Sequence, residues 1–177
     1  MNDGKISVRY ARAILHFARN KGVEKLVYQE MFLLAKNLTT YAESFKTAFA
    51  HPDMTEKKLK ALFKLAIGKD ISTYSAQSID FIVDKQRSLF MLRIALMYQT
   101  LYEKEHNILI SNVISAQELE TKTLEQIKQF ASKSFNATTE IHHSIDPDLI
   151  GGFVLEIANQ RLDASIRGKL NTLKKVL

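Results

Sequence analysis

The chain has 177 residues, of which 46% are hydrophobic and 25% are charged, an ordinary composition for a soluble globular protein. It contains no cysteine, which excludes disulfides and thiolate metal sites, and no run of about eighteen apolar residues that would span a membrane. The net charge is +6, and residues 1–105 carry all of the excess, with 17 Lys and Arg against 11 Asp and Glu. This uneven charge is a first indication of two units with different partners.

Residues 1–105 have apolar side chains at helical spacing throughout. Gly22, Pro52 and Gly68 are placed to end helices, and Thr55 and Ser88 are placed to begin them. The apolar stripes are Ile6, Tyr10, Ala13, Ile14 and Phe17; Val27, Met31, Leu34, Leu38 and Tyr41; Leu59, Leu62, Phe63, Ala66 and Ile67; and Ile79, Phe81, Ile82, Val83, Leu89, Leu92, Ile94, Ala95, Tyr98 and Leu101. We therefore predict a bundle of five or six short helices around one core.

From residue 108 the pattern changes to that of a small mixed unit. The segments "ILISNVISA" and "TTEIHHSI" are rich in β-branched residues or alternate in polarity, which predicts two strands. The helix between them starts either at a capping box from Ser115 to Glu118 or at Thr121. Residues 106–177 are therefore predicted to form a second domain.

The stretch "DPDLIGGFVLEIANQRLDASI", residues 146–166, holds one of the two prolines and two of the six glycines. Asp146-Pro147-Asp148 predicts a turn, and Gly151-Gly152 predicts a bulge or a close backbone contact. "FVLEIA" is a predicted strand, Asn159-Gln160 a tight turn, and Ser165 the N-cap of a last helix. That helix places Ile166, Leu170, Leu173 and Leu177 on one face. The predicted fold class is mainly α, a five- or six-helix bundle followed by a small α+β domain of βαββα order.

The sequence offers no set of catalytic or metal-binding residues. His142 and His143 are neighbours in a predicted strand, so they point to opposite faces and cannot readily share one ion. Gly151-Gly152 lacks the spacing of a phosphate-binding loop, and no nucleophile elbow is present. We predict no catalytic residue, no cofactor and no metal.

Two surface features have alternative interpretations. The first is a run of five lysines: Lys57, Lys58, Lys60, Lys64 and Lys69. This run fits either a nucleic-acid-binding patch or the solvated face of an amphipathic helix, and the amphipathic-helix interpretation is favoured. The stripe of Tyr10, Ile14 and Phe17 fits a docking groove or the core, and its periodicity alone favours the core.

Three segments resemble one known family. "RYARAILHFA" (residues 9–18), "FIVDKQRSLFMLRIALMYQTLYEKEHN" (residues 81–107) and "IDPDLIGGFVLEIANQRLDASIRGKLNTL" (residues 145–173) are similar, in this order, to the δ subunit of bacterial F-type ATP synthase, which is equivalent to the mitochondrial oligomycin-sensitivity-conferring protein. The resemblance covers nearly the whole chain.

This resemblance implies a non-catalytic stator subunit at the cytoplasmic face of the bacterial inner membrane, without a membrane span of its own. In that family the helical bundle grips N-terminal helices of the α subunits, and the second domain joins the C-terminal ends of the b subunits. The implied α-subunit interface comprises Tyr10, Ala11, Ala13, Ile14, Phe17, Ile79 and Val83. The implied b-subunit interface, or a set that maintains the second domain, comprises Leu149, Ile150, Gly151, Gly152, Phe153, Asp163 and Arg167. A basic nucleic-acid-binding protein and a free-standing helical adaptor are the alternative functions.

Overall fold

The chain divides into two compact units, Met1–Lys104 and Glu105–Leu177. The computed structural model describes residues 3–157 and 160–174. The first unit is helical, and the second combines a four-stranded sheet with two helices. The predicted fold class, a helical bundle followed by a small α+β unit, is confirmed.

The helical unit contains six α-helices in its described part. Their bounds are α1 (Asp3–Asn20), α2 (Glu24–Thr40), α3 (Ala42–Ala50), α4 (Glu56–Ile67), α5 (Thr73–Asp84) and α6 (Met91–Glu105). Thr55 caps α4 as predicted, because its side chain accepts a hydrogen bond from the Lys58 amide at 3.3 Å. Gly68 follows the end of α4 with a φ of 140°, a backbone conformation that favours glycine.

Two predicted helix limits in this unit were wrong. Tyr41 lies beyond the end of α2, and its side chain is 58% exposed. Ser88 opens a 3-10 turn, Ser88–Phe90, that leads into α6, so it does not cap the helix. Sequence spacing alone does not distinguish the 3-10 turn at Ser88 from the first turn of an α-helix, because residues i and i+3 are neighbours in both.

The core of the helical unit is formed by the apolar faces of the helices. Tyr98 is fully buried, and its hydroxyl donates a hydrogen bond to the Glu24 carbonyl at 3.1 Å. Burial raises the pKa of the Tyr98 phenol. The largest fully buried side chains beside it include Leu15, Met31, Leu34, Phe63, Ile79, Ile82, Met91 and Ile94.

The second unit is a mixed sheet. Its elements are β1 (Ile108–Ser115), α7 (Thr121–Phe135), β2 (Thr138–Ile145), β3 (Phe153–Ile157), β4 (Gln160–Asp163) and α8 (Ile166–Lys174). The strand order is β2-β1-β3-β4, with β1 parallel to β2 and the other two pairs antiparallel. Val113, Ile127 and Leu155 form its core, between the sheet and α7.

Three details of this unit differ from the sequence prediction. The helix α7 begins at Thr121, so the Ser115–Glu118 capping box was wrong and the alternative start is confirmed. Ser115 is instead the last residue of β1. Gln160, predicted as part of a tight turn, instead begins a fourth strand, β4, which pairs with β3. Asn159, the other residue of that turn, and Ala158, the last residue of the predicted strand, lie outside the described residues.

Candidate protein-binding sites

An apolar groove lies between α1 and α5. It has a volume of about 320 Å³ and is partly open to solvent. Its lining is Ala13, Ile14 and Phe17 of α1 with Gln77, Ser78 and Phe81 of α5. Ala13 is exposed, Phe17 is half-buried and Phe81 is 44% exposed, so apolar atoms face solvent along this seam. Exposed apolar patches of this kind on soluble proteins commonly mark sites for protein partners.

Aromatic contacts fix the two walls of the groove against each other. The ring of Tyr10 lies 5.6 Å from that of Phe81, and the ring of Phe17 lies 6.2 Å from that of Tyr74, each pair tilted. Tilted pairs at these distances are attractive beyond the area they bury. These contacts therefore fix the position of α1 relative to α5, the two helices that line the groove.

The sequence-derived residues divide between the groove and the layer beneath it. Ala13, Ile14 and Phe17 line the groove, whereas Tyr10 and Ala11 are buried. Tyr10 and Ala11 therefore lie on the face of α1 that packs against the other helices.

On the other wall, the two residues that the sequence analysis assigned to the α-subunit interface lie beneath the groove lining. Ile79 and Val83 are 0% and 1% exposed, lie in the core and do not line the groove. The lining residues Gln77, Ser78 and Phe81 were not selected. A helical wheel of α5 contains the signal, because Gln77 and Phe81 are four residues apart and lie on a different face from Ile79 and Val83.

The helix α5 is tied to α4 by two ion pairs. Lys60 lies 2.5 Å from Asp84 and Lys64 lies 2.8 Å from Asp80, measured between nitrogen and oxygen. The hydrogen bond to Asp84 raises the pKa of Lys60. Lys58 also donates a hydrogen bond to the Asp53 carbonyl. Three lysines of the basic run therefore have partners within the unit, which favours the amphipathic-helix interpretation over a nucleic-acid patch.

In the second unit, Gly152 occupies a position that only glycine fits. Its φ is +74°, and an added Cβ would lie 2.3 Å from the Ala164 carbonyl oxygen. At Gly151 the added atom would instead meet the flexible Ile166 side chain, at 2.7 Å from Cδ1. The predicted close backbone contact at these glycines is confirmed, and it lies at Gly152.

Asp163 and Ser165 form the N-terminal cap of α8. The Asp163 carboxylate accepts hydrogen bonds from the Ser165 hydroxyl at 2.6 Å and from the Ser165 amide at 3.0 Å. The Ser165 hydroxyl oxygen accepts one from the Gly168 amide at 3.0 Å, as the predicted N-cap requires. The two bonds from Ser165, the side-chain bond first, lower the pKa of Asp163.

The remaining selected residues of this unit divide by exposure. Leu149 is buried and Phe153 is half-buried, so both belong to the packing of the unit. Ile150 is 65% exposed, and Arg167 is exposed beside a polar hollow that Asp146 also lines. Of these four residues, Ile150 and Arg167 are thus the exposed ones. Leu162 and Ile166, 49% and 45% exposed, are apolar surface residues that the sequence did not select.

A serine–histidine contact in the sheet does not constitute a nucleophile. Ser115 Oγ lies 2.7 Å from His143 Nε2, but this hydroxyl donates to the Gln117 carbonyl and is fully buried. His143 therefore acts as the donor in this contact rather than as a base. Across the described residues, no group of three or more His, Asp or Glu side chains is arranged to hold a metal ion.

Known proteins similar to this chain identify its family. A family model described as ATP synthase delta (OSCP) subunit matches residues 6–177. The chain belongs to the ATP synthase delta (OSCP) subunit family. An ATP synthase subunit delta from Phocaeicola vulgatus is 31% identical over 176 residues, covering 99% of this chain and 95% of the relative. Those from Azobacteroides pseudotrichonymphae and Rickettsia conorii are 33% and 31% identical over 177 residues, with at least 96% of each relative covered.

A solved structure shares the fold of this delta-family chain. It is the mitochondrial ATP synthase hexamer of Toxoplasma gondii, in which the matching chain superposes with a TM-score of 0.65 at 17% identity. The match covers 96% of this chain and 95% of that one. The delta-family protein is a structural, non-catalytic component of the peripheral stalk of F-type ATP synthase. None of the helices in the described ranges has the length and hydropathy needed to cross a membrane.

Proposed function

We propose that the groove between α1 and α5 holds an N-terminal helix of an ATP synthase α subunit. An amphipathic helix docks by burying an apolar stripe in a groove between two helices. The single observation that supports this best is the exposed apolar seam of Ala13, Phe17 and Phe81, whose two walls are fixed by aromatic contacts. A preformed groove also reduces the ordering cost of binding.

We further propose that the second unit holds the C-terminal end of the b stalk. Exposed Ile150, Leu162 and Ile166 supply apolar contact area, and Arg167 supplies a charge beside them. Gly152, Leu149 and Asp163 act indirectly, since they maintain the turn and the helix cap on which this surface is built.

The mechanism is then mechanical. A subunit that grips the catalytic head with one unit and the stalk with the other prevents the head from turning with the rotor. Torque from proton flow is thereby used for ATP synthesis. In a bacterial cell this places the protein peripherally at the cytoplasmic face of the inner membrane, as part of the complex.

Two matched variants of the full-length chain test the α-subunit part. Ala13→Asp places a carboxylate in the groove, whereas Ala61→Asp makes the same change at an exposed position of α4. Calorimetry with a synthetic N-terminal peptide of the organism's own α subunit should show at least about a tenfold loss of affinity for Ala13→Asp, because the docked helix would remove the carboxylate from water against its apolar stripe. Ala61→Asp should bind as the wild type does. Equal binding by both variants would contradict the groove.

The coupled activity tests the whole proposal. Membranes reconstituted with Ala13→Asp should lose ATP synthesis driven by proton flow, while ATP hydrolysis by the head continues. Ile150→Asp should give the same phenotype through loss of b binding, with α-peptide binding retained. Normal b binding by Ile150→Asp would remove that residue from the interface.

A further inference from the structure

A stripe of basic side chains runs along the exposed side of α1. Lys5, Arg9, Arg12 and His16 are spaced four, three and four residues apart, so they follow one another on one face of the helix. All four are exposed and together line a hollow beside α1. We call these four residues the α1 basic stripe.

The α1 basic stripe has no acidic partner within the part of the chain that the structure describes. No carboxylate there forms an ion pair with any of the four side chains, and the Arg9 guanidinium lies over the ring of its neighbour Tyr10 at 5.7 Å. Like charges three and four residues apart on a helix repel each other and destabilise it. The stability of α1 therefore does not explain why these residues are aligned. By contrast, Lys60 and Lys64 of α4 are both paired.

The stripe adjoins the apolar groove. Ala13 lines both the groove and the hollow of the stripe, so the two surfaces meet along α1. The charges on α5 are of the other sign, because Asp80 and Asp84 lie there, and they are already paired with the lysines of α4. The groove therefore has, on its α1 side, a basic rim without ion-pair partners among the described residues.

We propose that the α1 basic stripe selects the charge of the segment that the groove binds. The occupant is an amphipathic helix with carboxylates along the edge that faces α1. Charges at the rim of an interface steer encounter and fix orientation, and they reject a partner of the wrong sign. The stripe thus determines which edge of the helix turns toward α1. This inference rests on the proposed groove and adds the chemical character of its ligand.

The test compares two charge-reversed forms of the full-length chain. Arg9→Glu/Arg12→Glu changes the stripe, and Lys57→Glu/Lys69→Glu makes the same change in net charge at exposed lysines elsewhere on the unit. The probes are the synthetic N-terminal peptide of the cognate α subunit and a copy with its Asp and Glu replaced by Asn and Gln. The stripe variant should bind the native peptide about tenfold more weakly than the lysine control at low salt. The difference should largely disappear at about 0.5 M salt, where exposed charges are screened.

Each other outcome has a definite meaning. If wild type binds the native and the neutralised peptides equally, while Ala13→Asp abolishes both, the groove stands and the role of the stripe is overturned. If wild type binds neither peptide, the proposed function itself fails. If the stripe variant binds peptide normally but loses binding to vesicles containing anionic phosphatidylglycerol, the stripe faces a membrane surface and the proposal is wrong.

Discussion

The carboxylate of Glu30, in α2, accepts two hydrogen bonds from Ser72, the residue that caps α5. One comes from the Ser72 amide at 2.5 Å and the other from its hydroxyl at 2.6 Å. The Ser72 oxygen in turn accepts a bond from the Ser75 amide at 3.2 Å. Glu30 is only 6% exposed, so this network fixes the start of α5, one wall of the groove, against α2.

Replacing Glu30 by alanine should therefore destabilise the helical unit. The change leaves the part-buried amide and hydroxyl of Ser72 without their acceptor, which should lower the free energy of unfolding by about 1–3 kcal/mol. Denaturant unfolding followed by circular dichroism measures the effect. Glu43→Ala is the control, because Glu43 is 88% exposed in its 3.8 Å pair with Lys46 and should change stability by less than about 0.5 kcal/mol. Equal effects of the two substitutions would contradict a structural role for the Glu30–Ser72 contact.

Gly152→Val should destabilise the second unit by about 1–3 kcal/mol, through strain at a positive φ and overlap with the Ala164 carbonyl. Gly151→Ala is the matched comparison, because its added methyl meets only the movable Ile166 side chain. Gly151→Ala should lower the stability of the second unit clearly less than Gly152→Val does. Thermal unfolding of both variants measures the difference, and a Gly152→Val melting temperature equal to that of wild type would refute the close contact.

Asp163 should make stability depend on pH in the acid range. Its pKa in the folded chain lies below the ordinary value of 3.8, because Ser165 donates two hydrogen bonds to the carboxylate. A depressed pKa contributes stability above the unfolded-state pKa, and this contribution is lost as pH falls through the folded-state value. The stability difference between wild type and Asp163→Asn should therefore shrink below about pH 3.8. Carboxyl NMR titration checks the pKa directly, and a value above 3.8 would contradict the cap geometry.

The helical unit should fold by itself. Residues 1–105 contain the six helices and the core around Tyr98 and Phe63. A fragment of this length should have a helical circular dichroism spectrum and a cooperative melt. A fragment that unfolds without a cooperative transition would show that its stability depends on residues 106–177.

Much of this fold could be predicted from local pattern, and the failures have identifiable causes. The helices of the bundle and the strands β1 to β3 follow periodicity, because each buries one face in a core. The strand β4 has no such signal: its four residues are all exposed, and it forms by pairing with β3, where Arg161 lies opposite Glu156. A short polar edge strand is specified by its neighbour rather than by its own sequence.

The α1 wall of the groove could be predicted from the sequence, whereas the lining residues of its α5 wall could not, for a related reason. Periodicity identifies residues that are apolar at helical spacing, but both a core residue and a groove residue satisfy that rule. Ile79 and Val83, which the sequence analysis placed in the implied α-subunit interface, are apolar at helical spacing and lie in the core. Phe81 was assigned to the core stripe, yet it reaches the surface beside Tyr10. The distinction requires the position of α1, which sequence spacing alone does not supply.

Chemical-shift mapping of the full-length chain tests the central claim most directly. On addition of the synthetic N-terminal peptide of the cognate α subunit, the largest shifts should occur at Ala13, Phe17, Gln77 and Phe81, which line the groove. The resonances of Ile79 and Val83, which lie on the core-facing side of α5, should shift less. Shifts confined to residues 106–177, or to the lysine face of α4, would contradict the account.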